Sequence, residues 1–121
     1  MLLNHWLASL GYALLGLYYA VNGALHFRHF ERLSGALSAR GIPLPSATLV
    51  VGSIFQLVAG SMLALQIQVH FAAPGLAVFT VLASLMMLDF WRATDAAREA
   101  ALRAWQANLA LTGALLVIAG M

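Results

Sequence analysis

The sequence predicts an all-α polytopic membrane protein, an antiparallel bundle of four transmembrane helices with a short interfacial helix between the first two. Three observations carry that expectation. Of 121 residues, 63% are apolar and only 8% charged, against roughly 25% charged in an ordinary soluble domain. The mean hydropathy is +0.90. The few charges also cluster, leaving uncharged runs long enough to cross a bilayer core of about 30 Å, for which roughly 20 helical residues suffice. A water-soluble enzyme is excluded on these grounds. The six cations, all Arg, stand against four acids, too small a surplus for a nucleic-acid footprint. Without Cys the chain forms no disulfide, thiolate metal site or iron–sulfur ligand set.

Residues 6–25, 47–65, 74–88 and 105–121 contain no Asp, Glu, Lys or Arg. The helices built on them are expected over about 6–27, 46–66, 73–91 and 103–121, which makes 1–121 a single transmembrane domain with no linker and no low-complexity tail. The first run is too long for a signal peptide, and no fixed positive charge precedes it, so it is expected to be retained. Trp6, Trp91 and Trp105 fall at helix ends, where an amphipathic ring prefers the headgroup layer. Between the first two helices, Phe30, Leu33 and Leu37 recur at helical spacing opposite Glu31, Arg32, Ser38 and Arg40. Gly41 then supplies a stop, and Pro43 and Pro45 forbid continuation. This segment reads as a helix lying in the interface, a polar loop with accidental periodicity being the alternative. Pro74 suits the first turn of the third helix, and a kink inside a longer helix is the alternative there.

Arg28, Arg32 and Arg40 lie between helices one and two, and Arg92, Arg98 and Arg103 between helices three and four. Both connections are on one side of an antiparallel array. Under the positive-inside rule that side is cytoplasmic and both termini are outside.

Polar residues inside a hydrocarbon-spanning helix need a partner or a purpose. Asn22 and His26 come one turn apart near the cytoplasmic end of helix one, Asp89 closes helix three, and Asn108 and Thr112 share a face early in helix four. Gln56 of helix two is nearer the midplane. Asn22, His26, Gln56, Asp89 and Asn108 are therefore the candidate ligand-binding residues of a polar pocket open to the cytoplasm. His26 and Asp89 are its titratable members, able to hold a proton or orient a hydroxyl or quinone oxygen. The competing reading is interhelical hydrogen bonding, at ~0.6 to 2 kcal/mol per contact. Thr48, Gly52, Gln56, Gly60 and Ala64 recur every four residues, and Gly16 with Ala20 forms a similar notch on helix one. Gly16, Gly52 and Gly60 are accordingly the candidate packing residues, and Tyr12, Tyr19 and His26, stepping by seven, are assigned to the core.

No metal site is expected. A bis-His haem needs two imidazoles facing at one depth, whereas His26 and His29 share one segment, and His5 and His70, on the outer side, lack further ligands. No Gly-rich phosphate loop, nucleophile elbow or paired-carboxylate motif is present. No residue is therefore proposed as catalytic, and the reading leans against an enzyme.

Asn22-Gly23-Ala24-Leu25-His26-Phe27, Gly41-Ile42-Pro43, Gly60, Asp89-Phe90-Trp91 and Asn108-Leu109-Ala110-Leu111 with Gly113 resemble, in order along the chain, the DoxX family. The resemblance implies a small four-helix protein of the bacterial inner membrane, some members of which are subunits of thiosulfate:quinone oxidoreductase or other membrane oxidoreductase complexes. This sequence departs from the family pattern in carrying Gln56 where an acid is common, Ala107 where a base is common, and His26 where Lys is common. The leading expectation is an accessory subunit that packs against a larger respiratory or oxidoreductase complex, or against copies of itself, within the lipid bilayer. No cofactor is expected on this chain alone, a quinone being the one the resemblance brings near it. A small-molecule binding or transport bundle and a membrane-protein assembly factor are the alternatives.

Overall fold

The computed structural model describes residues 2–121, with side chains from His5 onward, and those residues form helices and turns. The helices are α1 (Leu2–Arg28), α2 (Phe30–Ala39), α3 (Pro45–Ala64), α4 (Val69–Met87) and α5 (Asp95–Ala119). Among the described residues, α3, α4 and α5 are long and apolar enough to cross a membrane. The longest helix, α1, is outside that set because Tyr12, Tyr18, Tyr19, Asn22 and His26 dilute its hydropathy.

The helices pack in the order α1, α3, α4, α5, with α2 laid across α3 and touching α1 and α4. Polarity is reversed relative to a water-soluble protein. Leu14, Leu17 and Val21 of α1, Val51 and Val58 of α3, Phe71 and Val78 of α4, and Leu116 and Val117 of α5 are exposed, while Ser53, Gln56, Thr80 and Ser84 are buried. Lipid is the solvent in which that arrangement is favourable, since chain-facing polar groups need internal partners and outward apolar groups do not.

The seam between α1 and α3 depends on glycine. A Cβ on Gly60 would lie 2.6 Å from the Ala20 backbone nitrogen and 2.8 Å from the Gly16 carbonyl oxygen, and one on Gly16 would strike the backbone of Gly60 and Ala64. Gly52, predicted on the same stripe, instead faces Phe79 of α4, whose ring lies 3.3 Å from the position of its missing Cβ. Four residues turn a helix through about 400°, so a four-residue repeat drifts by about 40° per step and winds from one neighbour to the next.

Several predicted boundaries move. Leu2 starts α1 earlier than residue 6, and α3 stops at Ala64 instead of 66 because Gln66 adopts a left-handed conformation (φ 57°). The Ile67 amide then bonds the Met62 carbonyl at 2.8 Å and the Gln66 amide bonds Leu63 at 3.1 Å, the hydrogen-bond pair of a Schellman stop, in which glycine is the usual signal. Pro74 lies inside α4 and not in its first turn, because the Phe71 and Ala72 amides already bond the Gln68 carbonyl one turn earlier. The helix forgoes the bond that residue 74 would make to His70. The C-terminal end of α4 is Met87, so Asp89-Phe90-Trp91 belongs to the connection and does not close a helix. The Trp105 indole nitrogen donates at 2.7 Å to the carbonyl of Leu88, the residue that caps α4. The start of α5 at Asp95 precedes the predicted 103 because Asp95–Leu102 is rich in Ala with Arg and Glu, good helix formers. Hydropathy marks where a helix meets the bilayer, not where it begins.

Candidate functional site

The interfacial segment forms α2, which ends in a Schellman stop: Gly41 takes φ 76°, its amide bonds Ser38, and the Ile42 amide bonds Leu37 at 3.1 Å. This turn lays α2 across the end of the bundle that carries the arginines. Beneath it is a cavity of about 920 Å³, lined by the C-terminal half of α1, Leu33 and Leu37 of α2, the N-terminal half of α3, the C-terminal half of α4 and the first turns of α5 within the bundle. Pockets for small organic molecules run to roughly 300–1,000 Å³.

Of the predicted site residues, Asn22, His26, Gln56 and Asn108 line this cavity and Asp89 does not. His26 and Asp89, the two titratable members of the expected pocket, make separate contacts. His26 Nδ1 meets Ser53 Oγ at 3.0 Å, and the Arg40 Nε donates to Asp89 Oδ1 at 3.2 Å. The cause is the early end of α4, which leaves Asp89 in the connection, beside the C-terminal cap of α2. Asn22 Nδ2 donates to the Tyr18 carbonyl within its own helix, and Asn108 Nδ2 donates to Ser84 Oγ at 2.9 Å.

Sequence reasoning missed the hydroxyl groups of α4. Thr80 Oγ1 donates to the Leu76 carbonyl and Ser84 Oγ to the Thr80 carbonyl, each at 2.7 Å. Tyr19, 3% exposed, meets Thr80 Oγ1 at 2.7 Å. Thr80 has committed its one proton to Leu76, so the tyrosine hydroxyl is the donor. The available signal was the i, i+4 spacing of Thr80 and Ser84 on an apolar run, muted because such hydroxyls satisfy themselves on their own helix.

Gln56 differs from all of these. The residue is 5% exposed, lines the cavity, and its Oε1 is buried with no hydrogen-bond partner. No Asp, Glu, Lys or Arg is part of the lining, and among the described residues no group of three His, Cys, Asp or Glu is placed to hold a metal ion. The chemistry available is that of an apolar cleft, open on the side of the exposed Leu44, Val51 and Leu82, with hydrogen-bonding groups on its wall.

A family model, DoxX, matches residues 8–89, from early in α1 to the connection after α4. No curated protein and no solved structure matches the chain.

Proposed function

Because the chain belongs to the DoxX family, we propose that it is a four-span protein of the bacterial inner membrane that binds a small, largely apolar molecule in the cavity between its helices. The observation that carries this reading is the hollow itself, whose lining carries no Asp, Glu, Lys or Arg and includes the side chains of Asn22, His26, Gln56 and Asn108, a mostly apolar wall with a few polar groups of the kind that small-molecule sites show. As the fourth span we take α1, whose 27 residues measure about 40 Å at 1.5 Å each and which runs in backbone contact with α3 at Gly16 and Gly60. All six arginines flank the hollow end, which supports a cytoplasmic position for that end and periplasmic termini.

Two experiments test the reading. A reporter active only in the periplasm should work when fused after Met121 and stay silent when inserted near Ser38 or Ala97, and the reverse pattern overturns the orientation. Purified protein in lipid nanodiscs should melt at a higher temperature in the presence of a short-chain quinone or another neutral amphiphile, and Ala83→Phe, which fills the cavity, should abolish the shift. An unchanged melting temperature with every probe overturns the binding role.

The accessory-subunit reading is favoured by α5, which packs on α4 alone among the described helices and leaves Leu109, Leu116 and Val117 outward. A photo-crosslinker at Leu109 or Leu116 should then capture a larger membrane protein, or a second copy of this chain, in native membranes. Capture of lipid alone removes this reading and leaves the cavity as the functional element.

A further inference from the structure

We propose that the cleft admits an acyl chain of a bilayer lipid, which enters sideways between α3 and α4 beneath α2. The inference rests on the reading of the cleft as a ligand site and adds where its ligand comes from and by which route.

The first argument is where the cleft opens. Leu44 at the N-terminal cap of α3, Val51 of α3 and Leu82 of α4 belong to its lining and are exposed. Helix α3 starts at Pro45 and α4 ends at Met87, so at 1.5 Å per residue Val51 is about 9 Å and Leu82 about 8 Å in from the arginine end. The two sides of the mouth are therefore nearly level. Both helices are long and apolar enough to cross a membrane, and at that depth the mouth faces lipid chains, not water.

The second argument is the frame of the mouth. Toward the closed end of the bundle, aromatic rings shut the seam between α3 and α4. Phe79 packs on Gly52, where an added Cβ would lie 3.3 Å from the ring, and Phe55 packs on Gly75, where the distance is 3.1 Å. The two rings are 5.7 Å apart between centroids. Toward the arginine end, α2 forms a roof. Leu37 is buried and lines the cleft with Leu33, while the Arg40 Nε donation to Asp89 Oδ1 ties the end of α2 to the connection after α4. Helices α1 and α5 also share no seam among the described helices. They turn Tyr18, Asn22 and Asn108 to the cleft, groups that a hydrocarbon chain does not satisfy.

The third argument is the wall behind the mouth. Phe79, Ala83 and Met86 present carbon and sulfur. Carbon that faces open space forgoes dispersion contacts, and a wall of carbon gives water too few partners. Lipid chains beside the mouth carry the matching surface, and Met86 adapts to an irregular occupant. The lining offers a charged headgroup no Asp, Glu, Lys or Arg, so the head stays at the interface and the chain alone enters.

The test uses the full-length protein in nanodiscs of phosphatidylcholine that carries a photoreactive diazirine at mid-chain, with adducts mapped by mass spectrometry after irradiation. Adducts are expected on Ala83 and Met86 in the cleft as well as on the outward Val78 and Leu116. Val51→Trp combined with Leu82→Trp narrows the mouth and should lower the inner adducts at least fivefold while the outer ones stay. Leu82→Phe alone serves if that pair does not fold. Because the chain has no Cys, Arg40→Cys with Asp89→Cys can be bridged by a short bismaleimide that pins α2 in place, and the inner adducts should persist. Outer adducts without inner ones, inner adducts that survive narrowing of the mouth, or inner adducts lost when α2 is pinned overturn the proposal. In each of those cases, a melting shift with the short-chain quinone that Ala83→Phe abolishes keeps the cleft as a ligand site, and absence of the shift overturns both.

Discussion

The two ends of the bundle are built from the same long helices and differ in what fills them. At the end away from the arginines, Leu63, Leu76 and Leu115 are fully buried against Ala59, Ala72, Ala73 and Ala77, with Tyr12, Leu15 and Ile118 packed around them. Small residues bring backbones together there and large ones fill the remaining volume, so the end is closed. At the arginine end the corresponding positions are Ser53, Gln56, Thr80, Ser84 and Asn108, whose polar atoms bond mostly to neighbouring protein atoms. No seam joins α1 to α5 among the described helices, and at this end the space between them stays open as the cavity. Apolar volume closes a membrane bundle, whereas self-satisfied polar groups leave room in it.

That contrast orders the expected effects of substitution. Gly60→Leu should be the most damaging, because the new side chain meets the backbone of α1, which cannot give way as a side-chain tip can. Overpacking ordinarily costs ~1–3 kcal/mol and more where backbones must part, so little monodisperse protein should be extracted. Normal yield and melting would mean that the α1–α3 seam is not where it is described. Leu76→Ala, at the closed end, should lower stability by about 2–5 kcal/mol, measured by reversible unfolding in mixed micelles, and a neutral result would remove the distinction between the ends. Gln56→Leu, at the hollow end, should have the opposite sign. It removes an unsatisfied buried acceptor worth about 1–3 kcal/mol and should raise the melting temperature of the ligand-free protein. A fall would mean that the amide is already satisfied. The smallest effect is expected for Arg40→Gln, which breaks an ion pair whose side chains are 30% and 20% exposed, where such pairs contribute ~0.2–1 kcal/mol. It should show as faster hydrogen exchange in α2 with little change in global unfolding, and unchanged exchange would separate α2 docking from the Arg40–Asp89 contact.

The residues of the site were unevenly legible. Asn22, His26, Gln56 and Asn108 stand out in sequence because an amide or imidazole on an apolar run is conspicuous and costly, and all four line the cavity. Ser53, Thr80 and Ser84 are buried more deeply than Asn22, His26 or Asn108 and carry no such signal, since a small hydroxyl is nearly neutral to hydropathy, and those of Thr80 and Ser84 satisfy themselves on the carbonyl four residues back. Asp89 departs from expectation for a different reason: its expected depth rests on a helix running to residue 91, and the chain leaves the helix at Met87.

The helical class, the membrane-compatible composition and the clustering of cations at one end follow from the sequence by itself. They depend on side-chain transfer energies and on backbone hydrogen bonds within each segment, both of which are local. Which polar groups share a chamber was decided only by the tertiary structure. Helix rotation at the α1–α3 seam is set by the meeting of Gly16 with Gly60, and the approach of α1 to α4 by the bond from Tyr19 to Thr80. The isolation of Gln56 Oε1 is a property of that assembled interior, because an acceptor is unsatisfied only with respect to everything that could have reached it.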